Sequence, residues 1–178
     1  MASIMRNSVL LNLVLSLACS PIFLVPVKTI SAQTQTALPR STNSDTKCEP
    51  TPADYLGPFY TANAPVRSSV GKGYQLTGIV RSSANCTPIA KAVIELWLTG
   101  PDGSYDDDHR ATIFSNDSGQ YRFESNFPPG YSGRPPHIHI RVSANGFRTL
   151  ATQHYPEAGH EAGEFNLVLV PINQENQN

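Results

Sequence analysis

The chain has 178 residues, 39% of them hydrophobic and 15% charged, with 13 Lys plus Arg against 14 Asp plus Glu. That composition fits one compact domain and excludes a disordered chain. A net charge of −1, with no run or stripe of basic residues, excludes nucleic acid as the partner.

In chain order, Arg6 precedes the apolar run SVLLNLVLSLACSPIFLV, the layout of a secretory signal peptide. Residues 1–32 are read as that signal, with small residues offering cleavage after Ala18 or after Ala32. Pro21 and Pro26 interrupt the run, which argues against a stable membrane span. A cut before Cys19 would make a lipoprotein, the lesser reading, because Ser16 stands where such signals usually carry Leu. The protein is therefore expected to be secreted or periplasmic. Without residues 1–32 the basic count falls from 13 to 11 against 14 acids, a formal charge of −3. Cys48 and Cys86 then remain as an even pair in a chain bound for an oxidising compartment, and a disulfide between them is expected, with two buried thiols as the alternative.

Residues 33–47 are polar and unpatterned and read as a flexible linker. Residues 48–171 read as the domain, and 172–178 as a polar tail. Strands are expected at 74–80, 92–99, 111–115, 120–125, 137–144, 147–153 and 164–170, separated by turn signals such as GPDGS, NDSG, PPGYSGRPP and ANG. No window carries a 3.6-residue period of helical length. Seven short strands without helices argue for an all-β antiparallel sandwich, with Trp97, Phe123 and Leu167 as candidate core.

The stretch RPPHIHIRV, 134–142, alternates as a strand, with His137, His139 and Arg141 on one face and Ile138, Ile140 and Val142 on the other. Two histidines at i and i+2 on a strand can bind one metal. A cupin-type Fe(II) site would add a Glu three or four residues further on, but those positions are Val142 and Ser143. Tyrosines can complete the shell instead. Phenolate is a hard anionic oxygen, and Fe(III) can hold a tyrosine deprotonated well below its free pKa of about 10. Two imidazoles, two phenolates and one hydroxide would balance the 3+ charge, which suits a partly buried site.

The blocks GPFY (57–60), ANCTPIAKAVIELW (84–97), GSY (103–105), GQYRFESNFPPGY (119–131), RPPHIH (134–139) and GFRTLATQ (146–153) together resemble the intradiol ring-cleavage dioxygenases, in that family's order. Protocatechuate 3,4-dioxygenase and catechol 1,2-dioxygenase belong to it. The resemblance runs from about residue 48 to 170 and implies an intradiol-dioxygenase, prealbumin-like sandwich. It implies non-haem Fe(III) held by Tyr105, Tyr131, His137 and His139. It gives catalytic roles to Arg134, to Gln153 and to Tyr131, which leaves the metal when substrate binds. It places Pro58 and Tyr60 at the substrate pocket. The implied partners are a small aromatic diol and O2, and the implied reaction opens a catechol ring between its hydroxylated carbons to a muconate-type diacid. The chain departs from the family after Trp97, in the short loop from Tyr131 to Arg134, and after Gln153. No helical dimerisation domain precedes the sandwich, so a lone catalytic domain is expected, with oligomerisation possible.

Two other readings stay open: a non-catalytic transthyretin-like binding module, and an H-x-H Zn or Fe(II) enzyme of another class. His154 and His160 read as surface or pocket-rim residues, Tyr121 as core, and Asp106 to Asp108 as a solvated loop with calcium binding a lesser option. Asn85 and Asn116 sit in N-x-S/T sequons, which matter only in a host that glycosylates.

Overall fold

The computed structural model describes residues 48–172. The expected signal peptide and linker, and the tail after Ile172, lie outside the described residues. Among the described residues eight strands form two sheets. In chain order they are β1 (Tyr74–Ser82), β2 (Val93–Leu98), β3 (Arg110–Phe114), β4 (Gln120–Ser125), β5 (Ile138–Ser143), β6 (Leu150–His154), β7 (Ala162–Glu164) and β8 (Leu167–Leu169). Among the described residues no α-helix forms, as the absence of a helical period leads one to expect.

One sheet has the order β3-β2-β5-β6 and is antiparallel throughout. The other is built on β1, which pairs antiparallel with β4 on one edge and parallel with β7 and then β8 on the other. The single strand expected at 164–170 is thus two, and this sheet is mixed. Side chains make the break. Asn166 Oδ1 accepts the Ile79 N–H at 2.9 Å, and the Phe165 carbonyl accepts the Tyr121 hydroxyl at 2.5 Å, so side chains stand in for the ladder between β7 and β8. The strand expected from 147 starts at Leu150, because Phe147 bridges to Pro171 and Arg148 N–H donates to the Val170 carbonyl.

The core lies between the sheets. Every second residue of β1 faces it, and so do Ile94, Leu96 and Leu98 of β2, Phe123 of β4, Ile138, Ile140 and Val142 of β5, and Leu167 and Leu169 of β8. Burying side chains of this size contributes roughly 1.5–3 kcal/mol each. Trp97 is buried as expected, 2% exposed, but on the opposite face of β2, outside the inter-sheet cluster.

That opposite face is covered by a strap of chain, residues 48–70, which has no regular strand of its own. The strap crosses from one edge of the sheet to the other. Asp54 N–H donates to the Ala151 carbonyl on β6, Tyr60 Oη donates to Glu95 Oε1 of β2 at 3.0 Å, and Thr112 on β3 is held by Ala64 and Pro65. The strap is pinned at its start by a Cys48–Cys86 disulfide spanning 38 positions, with Cα atoms 5.2 Å apart. Closing a loop of this length restricts the unfolded chain, so replacing both cysteines by serine should lower unfolding stability by up to about 4 kcal/mol. Urea unfolding of the oxidised protein and the double variant measures the difference. Equal midpoints at equal slopes would show that the bond contributes nothing to stability.

Candidate metal centre

Strand register assembles the site. Arg110, Trp97, His139 and Gln153 lie opposite one another in one row across β3, β2, β5 and β6, on the face beneath the strap. Trp97 stacks parallel to the His139 ring, with centroids 5.0 Å apart and planes 2° apart, which holds the imidazole plane. On the other side Gly57 of the strap closes in. A Cβ there would meet His139 Cε1 at 2.9 Å, and its φ of +78° favours glycine.

His137 stands just before β5. Its Nδ1 donates to the Pro135 carbonyl at 2.7 Å, which leaves Nε2 as the acceptor nitrogen. That Nε2 lies 2.9 Å from Tyr105 Oη, and His139 Nε2 lies 3.2 Å from the same oxygen. Two imidazoles and a phenol therefore converge at one point. Phe59 stacks on the Tyr105 ring at 4.3 Å and meets Tyr131 edge-on at 5.5 Å, so the strap fixes both tyrosine rings. Tyr131 and Arg134 flank a two-residue turn in which Ser132 and Gly133 both have positive φ, 50° and 79°, a type I′-like arrangement that sets the two side by side.

Tyr105, Tyr131, Arg134, His137, His139 and Pro58 all line one cavity of about 280 Å³, joined by Tyr55, Gly57, Phe59 and Ser132. A larger groove of about 460 Å³ lies on the other sheet around Thr77, Arg122 and Glu164 and holds no histidine. Two expected residues fall outside the cavity. Tyr60 does not line it; its hydroxyl is tied to Glu95, which also pairs with Arg141, and Arg141 lies over the Tyr60 ring. Gln153 is 4% exposed and stands behind Arg134, whose Nη2 donates to Gln153 Oε1 at 2.7 Å.

Burial pushes His139 down to about 4, helped by His137 and Arg134, and pushes His137 down as well. Both are therefore neutral near pH 7, the form that donates a lone pair to a metal. Burial pushes Tyr105 up to about 12, so it is a neutral phenol until a bound cation favours the phenolate. Among the described residues no third His, Cys, Asp or Glu joins the two histidines. His139 Nδ1 is buried near the Tyr55 backbone without a well-formed hydrogen bond. A donor set of two neutral imidazoles and two tyrosine oxygens fits a hard trivalent ion such as Fe(III) better than Zn(II) or a two-His-one-carboxylate Fe(II) centre.

The remaining candidates go elsewhere. His154 is half-buried and lines, with His160, a separate pocket of about 240 Å³, as a pocket-rim residue would. Its Nε2 is 2.6 Å from Tyr74 Oη, and burial pushes its pKa down to about 4. His160 is exposed and pairs with Glu157 at 3.1 Å. Asp106 pairs with His109 and Asp107 with Arg110, while the Asp107 side chain stays 92% exposed, as expected of a solvated loop. Tyr121 is 5% exposed, in the core. Sequence reading missed Asp54, Tyr55, Phe59 and Tyr155. Phe59 stood within the GPFY block, but no spacing rule links the strap to Tyr105.

Fold and site together define a class: a β-sandwich with a His2Tyr2 pocket on its outer sheet face under an N-terminal strap. No protein-family model matches the chain. The chain is 31% identical over 157 residues to catechol 1,2-dioxygenase of Candida albicans, a match covering 68% of the chain and 52% of that protein. It is 30% identical over 137 residues to chlorocatechol 1,2-dioxygenase of Pseudomonas putida, covering 58% and 52%. Its fold superposes with a TM-score of 0.63 on the dioxygenase domain of a dioxygenase–carbohydrate-binding protein fusion from Streptomyces sp. SirexAA-E, at 26% identity, covering 69% of this chain and 99% of that one. In sequence and in fold the chain is similar to catechol and chlorocatechol 1,2-dioxygenases and to the dioxygenase domain of that fusion protein. It spans about half the length of the curated relatives it matches.

Proposed function

We propose that the chain is a non-haem Fe(III)-dependent intradiol dioxygenase that opens a catecholic ring between its two hydroxylated carbons with O2, giving a muconate-type diacid. The observation that carries this is the convergence of His137 Nε2 and His139 Nε2 on Tyr105 Oη, 2.9 and 3.2 Å away, in a cavity shared with Tyr131 and Arg134. Tyr105, Tyr131, His137 and His139 would hold the iron, which when bound polarises the catechol oxygens so that the ring can react with O2.

The chain's own residues do the rest. The strap, through Gly57, Pro58 and Phe59, forms the wall against which an aromatic ring would sit. The cavity's volume lies below the roughly 300–1,000 Å³ typical of drug-sized ligands. Tyr131, on the same cavity wall, would take a proton at its Oη from a catechol hydroxyl. Arg134 supplies positive charge where negative charge gathers on the substrate. Export to the periplasm or outside the cell is part of the proposal, supported by the signal-like residues 1–32 and by the Cys48–Cys86 bond.

The test is to load the purified protein with Fe(III), record iron content and visible spectrum, and follow muconate formation from catechol in air. About one iron per chain, a red colour from phenolate-to-iron charge transfer, and ring-opened product are expected. A protein that stays colourless after reconstitution and consumes no O2 with catechol refutes the proposal.

A further inference from the structure

Arg134 is held by a closed chain of hydrogen bonds reaching from the loop to β6 and the strap. Its Nη2 donates to Gln153 Oε1 at 2.7 Å and to Tyr155 Oη at 3.1 Å. Tyr155 Oη donates to Asp54 Oδ2 at 2.8 Å, in preference to Gln153 Oε1 at 3.3 Å, because the carboxylate is the stronger acceptor. Asp54 Oδ1 accepts the Tyr55 N–H at 2.6 Å, and Gln153 Nε2 donates to the Tyr55 carbonyl, which closes the ring. That last bond also settles the Gln153 amide: its nitrogen faces the strap, so its oxygen faces Arg134. The two Nη2 hydrogens of Arg134 are thereby both engaged. Nε and Nη1 have no protein partner among the described residues and are the N–H groups left for a substrate oxygen in the cavity that Arg134 lines.

We propose that Tyr155 and Asp54 are positioning residues for ring opening: they orient the Arg134 guanidinium so that Nε and Nη1 are presented to the negative charge that builds on the substrate. The proposal rests on the dioxygenase reading. An arginine side chain has several rotatable bonds, and a single anchor at Gln153 leaves it free to swing. The second anchor, through Tyr155 to a carboxylate, removes that freedom and partly offsets the guanidinium charge before substrate arrives. Orientation of this kind acts on the transition state more than on ground-state binding. Tyr155 is 41% exposed, so water replaces part of what is lost when its hydroxyl is removed, and the effect is moderate.

The experiment uses the full, iron-loaded protein with catechol and O2, comparing wild type, Tyr155→Phe and Asp54→Asn, each also in an Arg134→Ser background. Tyr155→Phe should lower kcat by about 10-fold with KM within about 2-fold of wild type, and with iron content and melting temperature unchanged. Asp54→Asn, on the exposed strap, should lower kcat by about 3-fold and serves as the check should Tyr155→Phe fold poorly. In the Arg134→Ser background neither change should slow turnover further, since both act through the missing guanidinium. Additive losses, unchanged turnover in both single variants, or a rise in KM alone would each overturn the proposal. Failure of wild type to open the ring strikes the dioxygenase reading itself, is visible before any variant is made, and takes this inference with it.

Discussion

Arg134→Ser should slow ring opening by about 100-fold or more while leaving the fold and the bound iron nearly intact. A guanidinium is a permanent cation and cannot coordinate a metal, so its place on the cavity wall has another purpose. Beside a trivalent ion a cation is unfavourable unless something nearby is negative. The tyrosine oxygens offset part of that, and a catechol dianion offsets more. On the proposed reaction the benefit of Arg134 would therefore grow as negative charge builds on the substrate, stabilising the transition state rather than binding uniformly. Losing one oriented charge of this kind is worth about 3 kcal/mol in a site sheltered from water. Catechol binding should weaken only modestly. Rates of muconate formation at saturating catechol and O2 decide the matter. Turnover near that of wild type would reduce Arg134 to an anchor of the Tyr131–Arg134 turn, whose loss would cost under about 1 kcal/mol of stability and no activity.

On the proposed ligand set, Tyr105→Phe should lower iron retention by at least about 10-fold and remove or shift the visible band, since a direct ligand would matter at least as much as the outer residues that orient it. The substitution keeps the ring, and with it the stacking on Phe59, and removes only the oxygen that both histidines approach. Tyr131 is placed differently. Its ring meets Tyr105 edge-on at 5.3 Å, and among the described residues its hydroxyl has no bond to either imidazole. Tyr131→Phe should therefore retain more iron and more colour than Tyr105→Phe, yet turn over slowly because the proton acceptor is gone. Iron per chain after exhaustive dialysis, read together with the spectrum, separates the two. Equal losses in both variants would remove the distinction between an anchoring and a departing tyrosine.

Much of the domain was legible in the sequence. Alternation in YQLTGIV and HIHIRV set which residues face the core, because a strand has period two and one face is buried. The order of His137 and His139 on one face follows from the same rule, and the block resemblance carried the tyrosines and Arg134. The cysteine pair likewise needed no structure, and the Cys48–Cys86 bond bears it out. Other features had no local signal. Trp97 reads as core by hydrophobicity, yet register places it beside His139, and only the pairing of β2 with β5 could show that. The division of 164–170 into β7 and β8 depends on the Asn166 and Tyr121 side chains reaching across to other segments. Tyr60 shares a block with Phe59, but one turns into the cavity and the other to Glu95, a choice made by what each meets across the sheet. The strap decided most. Residues 48–70 show neither helical nor strand periodicity, because their hydrogen bonds go to distant strands and not to near neighbours in sequence. Asp54, Gly57 and Phe59 therefore acquire their roles only when the strap crosses the sheet. Pattern in a sequence reports periodic burial within one element, whereas the walls of this cavity come from contacts between segments far apart in the chain.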